Sequence, residues 1–194
     1  MYQLIAVFLL VGLLAGCGPR KLSPGEVATE QKTIESLVTD LWKAYSAKDL
    51  PALTKLYTTS TDLLFFGTDS AEVIRSIPQW EAQVKNDWEL FQTVKFGELR
   101  NVSILLSDDG TLGSIACETP ADMVVAGQPS HSLFRMASAL RKENGSWRFV
   151  HGMVAVATVG QSSAELVAKM KAEAQLRNAQ ARESRAITKA FGGK

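Results

Sequence analysis

Only two of the 194 residues are cysteines, Cys17 and Cys117, and only two are histidines, His131 and His151. Two distant cysteines exclude a disulfide framework and offer no zinc motif. Nucleophilic chemistry is equally thin, since the chain has no Gly-x-Ser-x-Gly elbow and no histidine that can be assigned to Cys117, which sits in the apolar run Ile115-Ala116-Cys117 and reads as a buried, inert thiol. An excess of one charge is lacking too: 21 basic residues stand against 20 acidic ones. With no basic cluster interleaved with aromatics, nucleic acid is not an expected partner. Asp69 and Glu72 provide fewer oxygens than a hard cation needs, so neither a metal nor any other cofactor is expected. No apolar run reaches the roughly 20 residues of a membrane-spanning helix.

What is present at the start is a short apolar segment. Residues 1–16 carry no charged side chain and are apolar from Leu4 to Leu14 apart from Gly12. That length suits the core of a secretory signal, about 7 to 15 residues. Leu14-Ala15-Gly16-Cys17 then resembles the lipobox of bacterial lipoproteins. The resemblance implies cleavage before Cys17, a diacylglycerol on its thiol and acylation of the new amino terminus. Two or three chains on one residue anchor stably, where one gives only marginal binding. Signal segments usually carry Lys or Arg ahead of the apolar core, and here there is none. Residues 17–26, with Gly18, Pro19, Pro24 and Gly25, read as the lipidated tether. The expected location is the cell envelope; Gly18, rather than Asp, after the cysteine implies the outer membrane, facing the periplasm, in a source with two membranes.

The remainder is enough for one domain of about 130 residues, burying near two thirds of its unfolded surface. From Val27 to Lys48, Ile34, Leu37, Val38, Leu41 and Tyr45 recur at helical spacing, with Trp42 widening the stripe. A second short helix is expected from Pro51 to about Tyr57, a strand over Leu63–Phe66, and a third helix from Pro78 to about Phe91. Four strand-like runs follow: Thr93–Leu106, Leu112–Ala126, Ser132–Lys142 and Ser146–Val156. Helices first and an antiparallel sheet later indicate an α+β fold. Ser162-Ser163-Ala164-Glu165 reads as a capping box that opens a polar C-terminal helix over 161–194, where seven basic residues face three acidic ones beyond Ser162.

Asn144-Gly145 is the strongest turn signal, because a two-residue type I′ hairpin needs positive φ at both positions. A tight turn puts Lys142 opposite Trp147. Strict alternation from there gives one face with Phe134, Met136, Ser138, Leu140, Phe149, His151 and Met153, expected to line a cavity with Trp42 and Tyr45. The other face then carries Ala137, Ala139, Val150, Val154 and Val156, rimmed by Arg135, Arg141 and Arg148. That patch suggests a homodimer.

Phe66-Gly67-Thr68-Asp69-Ser70-Ala71-Glu72 and Gly145-Ser146-Trp147-Arg148-Phe149-Val150-His151, together with the order of elements, resemble the SnoaL-like branch of the superfamily named for nuclear transport factor two, over about Val27 to Gly160. The resemblance implies a cone: a strongly bent antiparallel sheet packed against three N-terminal helices, enclosing a pocket, often dimeric through the opposite face. Many relatives have a histidine and a serine where this chain has Met153 and Ala155. Where the kinase association domains of this fold have an arginine, it has Ser138. The pocket is therefore expected to be apolar, with His151, Ser138, Tyr45, Tyr57 and Glu118 as isolated polar points.

Three readings follow. The favoured one is a lipid-anchored envelope protein whose cone binds a small apolar ligand, or serves as an interaction and dimerisation module, without catalysis. The second is a proton-transfer enzyme, an isomerase, dehydratase or hydrolase, with His151 as catalytic base and Asp62, Asp69, Glu118 or Asp122 orienting it. The third is a structural partner in an envelope complex, engaging through the C-terminal helix.

Overall fold

The computed structural model describes residues 21–191. The expected signal segment, the lipidation site Cys17 and the first residues of the tether lie outside the described residues. The chain divides into two compact units, one through Val156 and one from Ala157 onward.

The first unit opens with helix α1 (Pro24–Ser46), capped by Ser23 in a full capping box with Glu26 and with Pro24 in the first turn. The cap starts the helix three residues before the expected Val27, because the hydrogen bonds of Ser23 and Glu26 satisfy the free N–H groups of the first turn. Helix α2 (Leu50–Thr54) is capped by Asp49, and strands β1 (Leu64–Phe66) and β2 (Val73–Ile74) lead into α3 (Ile77–Leu90), capped by Ser76. Strands β3 (Phe91–Phe96), β4 (Arg100–Leu106), β5 (Leu112–Val125), β6 (Gln128–Glu143) and β7 (Ser146–Val156) complete the unit. The second unit holds α4 (Ser163–Phe191), whose capping box of Ser162 and Glu165 forms as expected.

The fold is α+β, as expected: one curled seven-stranded sheet in the order β2-β1-β7-β6-β5-β3, with β4 also on β5. All pairs are antiparallel except β1 with β7. The single run expected over Thr93–Leu106 is two strands on the same edge of β5. They part opposite Pro120, which has no N–H to give; Gly97 donates instead to the Pro120 carbonyl at 2.8 Å, and a Cβ on Gly97 would meet the proline ring at 2.9 Å.

Asn144 and Gly145 adopt positive φ, and Lys142 pairs with Trp147. The strict alternation expected beyond them fails. Leu140 pairs with Phe149 but Ala139 pairs with His151, so Val150 bulges out of register and both Phe149 and Val150 are buried. A one-residue slip sends every later side chain to the opposite face. His151 and Met153 are therefore on the exposed outer face, and Gly152 and Val154 point inward.

The two ends of the sheet differ. At one end lie the β4–β5 and β6–β7 turns, joined by Lys142 N–H donating to the Thr111 carbonyl at 2.8 Å. Beneath this end the concave side is filled by Ile34, Ile115, Leu140 and Phe149, all at most 2% exposed. Glu30 locks α1 there, accepting from Lys142 Nζ at 2.5 Å and from the Trp147 indole at 2.7 Å. At the other end the core is not filled.

Candidate ligand cavity

Under the second end lies a cavity of about 110 Å³. Helix α1 supplies Trp42 and Tyr45. The Trp42 ring stacks on Phe96 at 4.2 Å between centroids and donates its indole N–H to Thr119 at 3.1 Å. Tyr57, Phe65, Trp80 and Met123 form much of the remaining wall, and Val154 reaches it because of the bulge. The rim is the end of β1 and the loop after it, where Phe66 and Thr68 are exposed.

The polar atoms gather on one side. Tyr45 donates its hydroxyl to Asp87 Oδ2 at 2.9 Å, and Gln83 donates to Asp87 Oδ1 and to Glu72 Oε1, both at 2.9 Å. Burial holds the Asp87 carboxyl above the ordinary carboxylate range, with the Glu72 charge adding to the effect and the Tyr45 and Gln83 hydrogen bonds opposing it. Burial likewise pushes the Tyr45 and Tyr57 phenols well above their ordinary value, so both stay neutral. The indole N–H of Trp80 is buried without a partner.

The Gly-Thr-Asp…Glu motif builds the rim. Asp69 accepts from the Ala71 N–H at 2.8 Å and Glu72 Oε2 accepts from the Asp69 N–H at 3.1 Å, which turns the loop back on itself. Gly67 leaves room for that carboxylate: a Cβ there would fall 1.9 Å from Glu72 Oε2.

Of the expected lining residues, Trp42, Tyr45, Phe134 and Met136 face the cavity. Leu140 and Phe149 are buried in the filled end instead, and Ser138 is buried opposite Gly152 with its hydroxyl unpartnered. His151 and Met153 are displaced to the outer face by the bulge. Of the carboxylates considered for His151, Asp62 is within electrostatic reach of it but hydrogen-bonds Arg141 at 2.8 Å, and the others are engaged elsewhere: Asp122 with His131 at 2.6 Å, Glu118 with Arg135 at 2.8 Å, and Asp69 within its own loop. Gln83 and Asp87 went unread in the sequence. The available signal was their spacing from Trp80, three and seven residues on, beside the apolar stripe of α3. Among the described residues no three His, Cys, Asp or Glu side chains gather as a metal site, and no helix is long and apolar enough to cross a membrane.

A curled sheet closing over helices, with an aromatic cavity open at one end, defines the class of cone-shaped α+β domains. Residues 34–158 match the family model of the SnoaL-like domain, and the chain belongs to that family. Among solved structures, it is similar to a nuclear transport factor 2-like superfamily protein from Salmonella enterica serovar Typhimurium, with a TM-score of 0.61 and 17% identity over 71% of this chain and 98% of that one. A ketosteroid isomerase-like protein from Erwinia carotovora atroseptica gives a TM-score of 0.56 and 16% identity, over 66% and 97%. A type 2 hexachlorocyclohexane dehydrochlorinase gives a TM-score of 0.61 and 9% identity, over 70% and 90%. At these identities the likeness is one of fold. A search of the curated proteins found no match.

Proposed function

We propose that this is a lipid-anchored protein of the cell envelope whose SnoaL-like cone binds a small, largely apolar molecule bearing one hydrogen-bonding group. The observation that carries the reading is the cavity itself: about 110 Å³, walled by aromatic and aliphatic side chains, with Tyr45, Gln83, Asp87 and Glu72 on one side. An apolar site with a few convergent polar groups is the general form of a small-molecule pocket. Its volume is near that of the ~150 Å³ apolar cavity that admits benzene, so the ligand, or the part of it that enters, is about one ring in size.

Thermal unfolding with ring-sized probes tests this. Phenol, which can hydrogen-bond to the polar side, should raise the midpoint more than benzene, and both should raise it in a saturable way. No shift with either would remove the ligand reading. Anchoring has its own readout: the mass of the mature protein should include acyl chains on Cys17, and Cys17→Ser should leave the membrane fraction.

A second reading has one observation in its favour. A carboxyl held above its ordinary range inside an apolar cavity, beside a neutral tyrosine, is the form a general acid or base takes. Asp87 would serve in that role. The histidine version is set aside, because the sheet separates His151 from the cavity. Dimerisation through the outer face is also proposed, on a patch revised by the bulge: Ala137 and Ala139 stay, and Met153 takes the place of the Val150 and Val154 expected there. Strictly monomeric sedimentation at high concentration would remove it. Leu166, Val167, Met170 and Leu176 are exposed on α4, which keeps a partner role for that helix worth testing by pull-down.

A further inference from the structure

The cavity and the root of the tether lie at opposite ends of the cone. Leu22 N–H donates to the Asp108 carbonyl at 2.8 Å, Lys21 pairs with Asp108 at 2.8 Å, and the Leu22 side chain lies against Gly110. The chain thus enters the domain strapped to the β4–β5 turn. From there α1 runs the length of the sheet, and Trp42 and Tyr45, which wall the cavity, are in its last two turns. Eighteen residues of helix separate Pro24 from Trp42, about 27 Å.

Cys17 precedes Leu22 by five residues, a span of at most about 18 Å fully extended. The tether is therefore shorter than the domain it holds. At the same end, Leu105 is 71% exposed and Leu112 is 54% exposed. Leu105 pairs with Ser114, two residues from Leu112 on β5, so both leucines share the outer face as diagonal neighbours. Most of the nearby charges are paired, Lys21 with Asp108, Lys142 with Glu30, and Arg141 with both Asp62 and Glu143, while the Asp109 carboxylate in the turn is held by Ser107 and Thr111.

Resting on the lipid-anchored reading above, we infer that the cone stands on the membrane with its β4–β5 turn end down, Leu105 and Leu112 against the bilayer interface, and the cavity mouth facing away into the aqueous compartment. The cavity then exchanges its ligand with water and not with the bilayer. The ligand class follows: a water-borne small molecule with an apolar ring, not an acyl lipid drawn from the membrane.

The test uses the full lipidated chain in liposomes, with single cysteines introduced as Leu105→Cys, Leu112→Cys and Ser70→Cys and labelled with a small fluorophore; Cys117 is buried and does not compete. With brominated phospholipids, labels at 105 and 112 should lose most of their emission while the label at 70, in the rim loop, keeps it. Aqueous iodide should give the reverse. A label at 70 quenched by brominated lipid, or three labels behaving alike on vesicles that carry the protein, overturns the orientation and leaves the anchor standing. Labels at 105 and 112 shielded from iodide yet untouched by brominated lipid mean that a protein covers the leucines, and the inference fails. A mature chain found to carry no acyl chains on Cys17 overturns the anchor and the orientation together.

Discussion

Gly152 lies directly opposite Ser138, and a Cβ built on it would come within 2.4 Å of both the Ser138 hydroxyl and the Phe65 ring. The bulge at Val150 is what turns this position inward. Gly152→Ala must therefore push Phe65 or β7 out of place, and overpacking of this kind costs about 1 to 3 kcal/mol. Urea unfolding should show a lower midpoint at unchanged slope. An unchanged midpoint would mean that the Phe65 ring has room to withdraw.

That glycine also marks the limit of what the sequence discloses. Asn144-Gly145 specifies its own turn chemistry, so the hairpin tip and the Lys142–Trp147 pair were legible from two residues. The next stretch, Val150 to Val156, alternates small, apolar and polar side chains so loosely that either face could turn inward, and a period of two cannot locate an extra residue. A glycine in mid-strand was the only local sign of a bulge. The helices and most strands of the first unit were readable for the opposite reason: their apolar residues repeat over many turns, although the caps Ser23 and Ser76, which move two helix starts upstream, were not read. The polar side of the cavity was unreadable because Glu72, Gln83 and Asp87 meet Tyr45 only once α1, α3 and the loop after β1 converge.

Glu30 ties α1 to the β6–β7 hairpin through Lys142 and the Trp147 indole. The Lys142 hydrogen bond holds its carboxyl below the ordinary range, burial opposing this and the Trp147 hydrogen bond and the Lys142 charge assisting. A depressed carboxyl contributes stability that is present above the unfolded value and is lost as pH falls through the folded one. Glu30→Gln should cost about 2 kcal/mol at neutral pH, the scale of a hydrogen bond to a charged group. The gap between variant and native protein should then shrink as pH drops below 4.5, the ordinary value. A gap independent of pH would show that shape, and not charge, is what Glu30 contributes.

Asp87 carries the opposite sign. Its carboxyl sits above the ordinary range because of burial, so ionisation is disfavoured in the folded state and stability falls as pH rises through the unfolded and then the folded value. Asp87→Asn removes that dependence. Measured across a pH series starting below the ordinary value of 3.8, the variant should gain on the native protein as pH increases. A gain running the other way would mean that the hydrogen bonds from Tyr45 and Gln83 outweigh burial, and Asp87 would no longer be a candidate acid.

Val154 reaches the cavity wall only because the register slips, and that makes it the position that separates an open cone from a filled one. Val154→Phe places a ring in the space a ligand would occupy. Filling an apolar void commonly adds about 0.5 to 2 kcal/mol, so the variant should unfold at an equal or higher urea concentration. The response of the thermal midpoint to phenol and benzene should disappear with it. Retained stability with lost probe binding assigns the binding to this cavity, whereas a variant that still responds to phenol places the probe elsewhere on the domain and removes the cavity as the site.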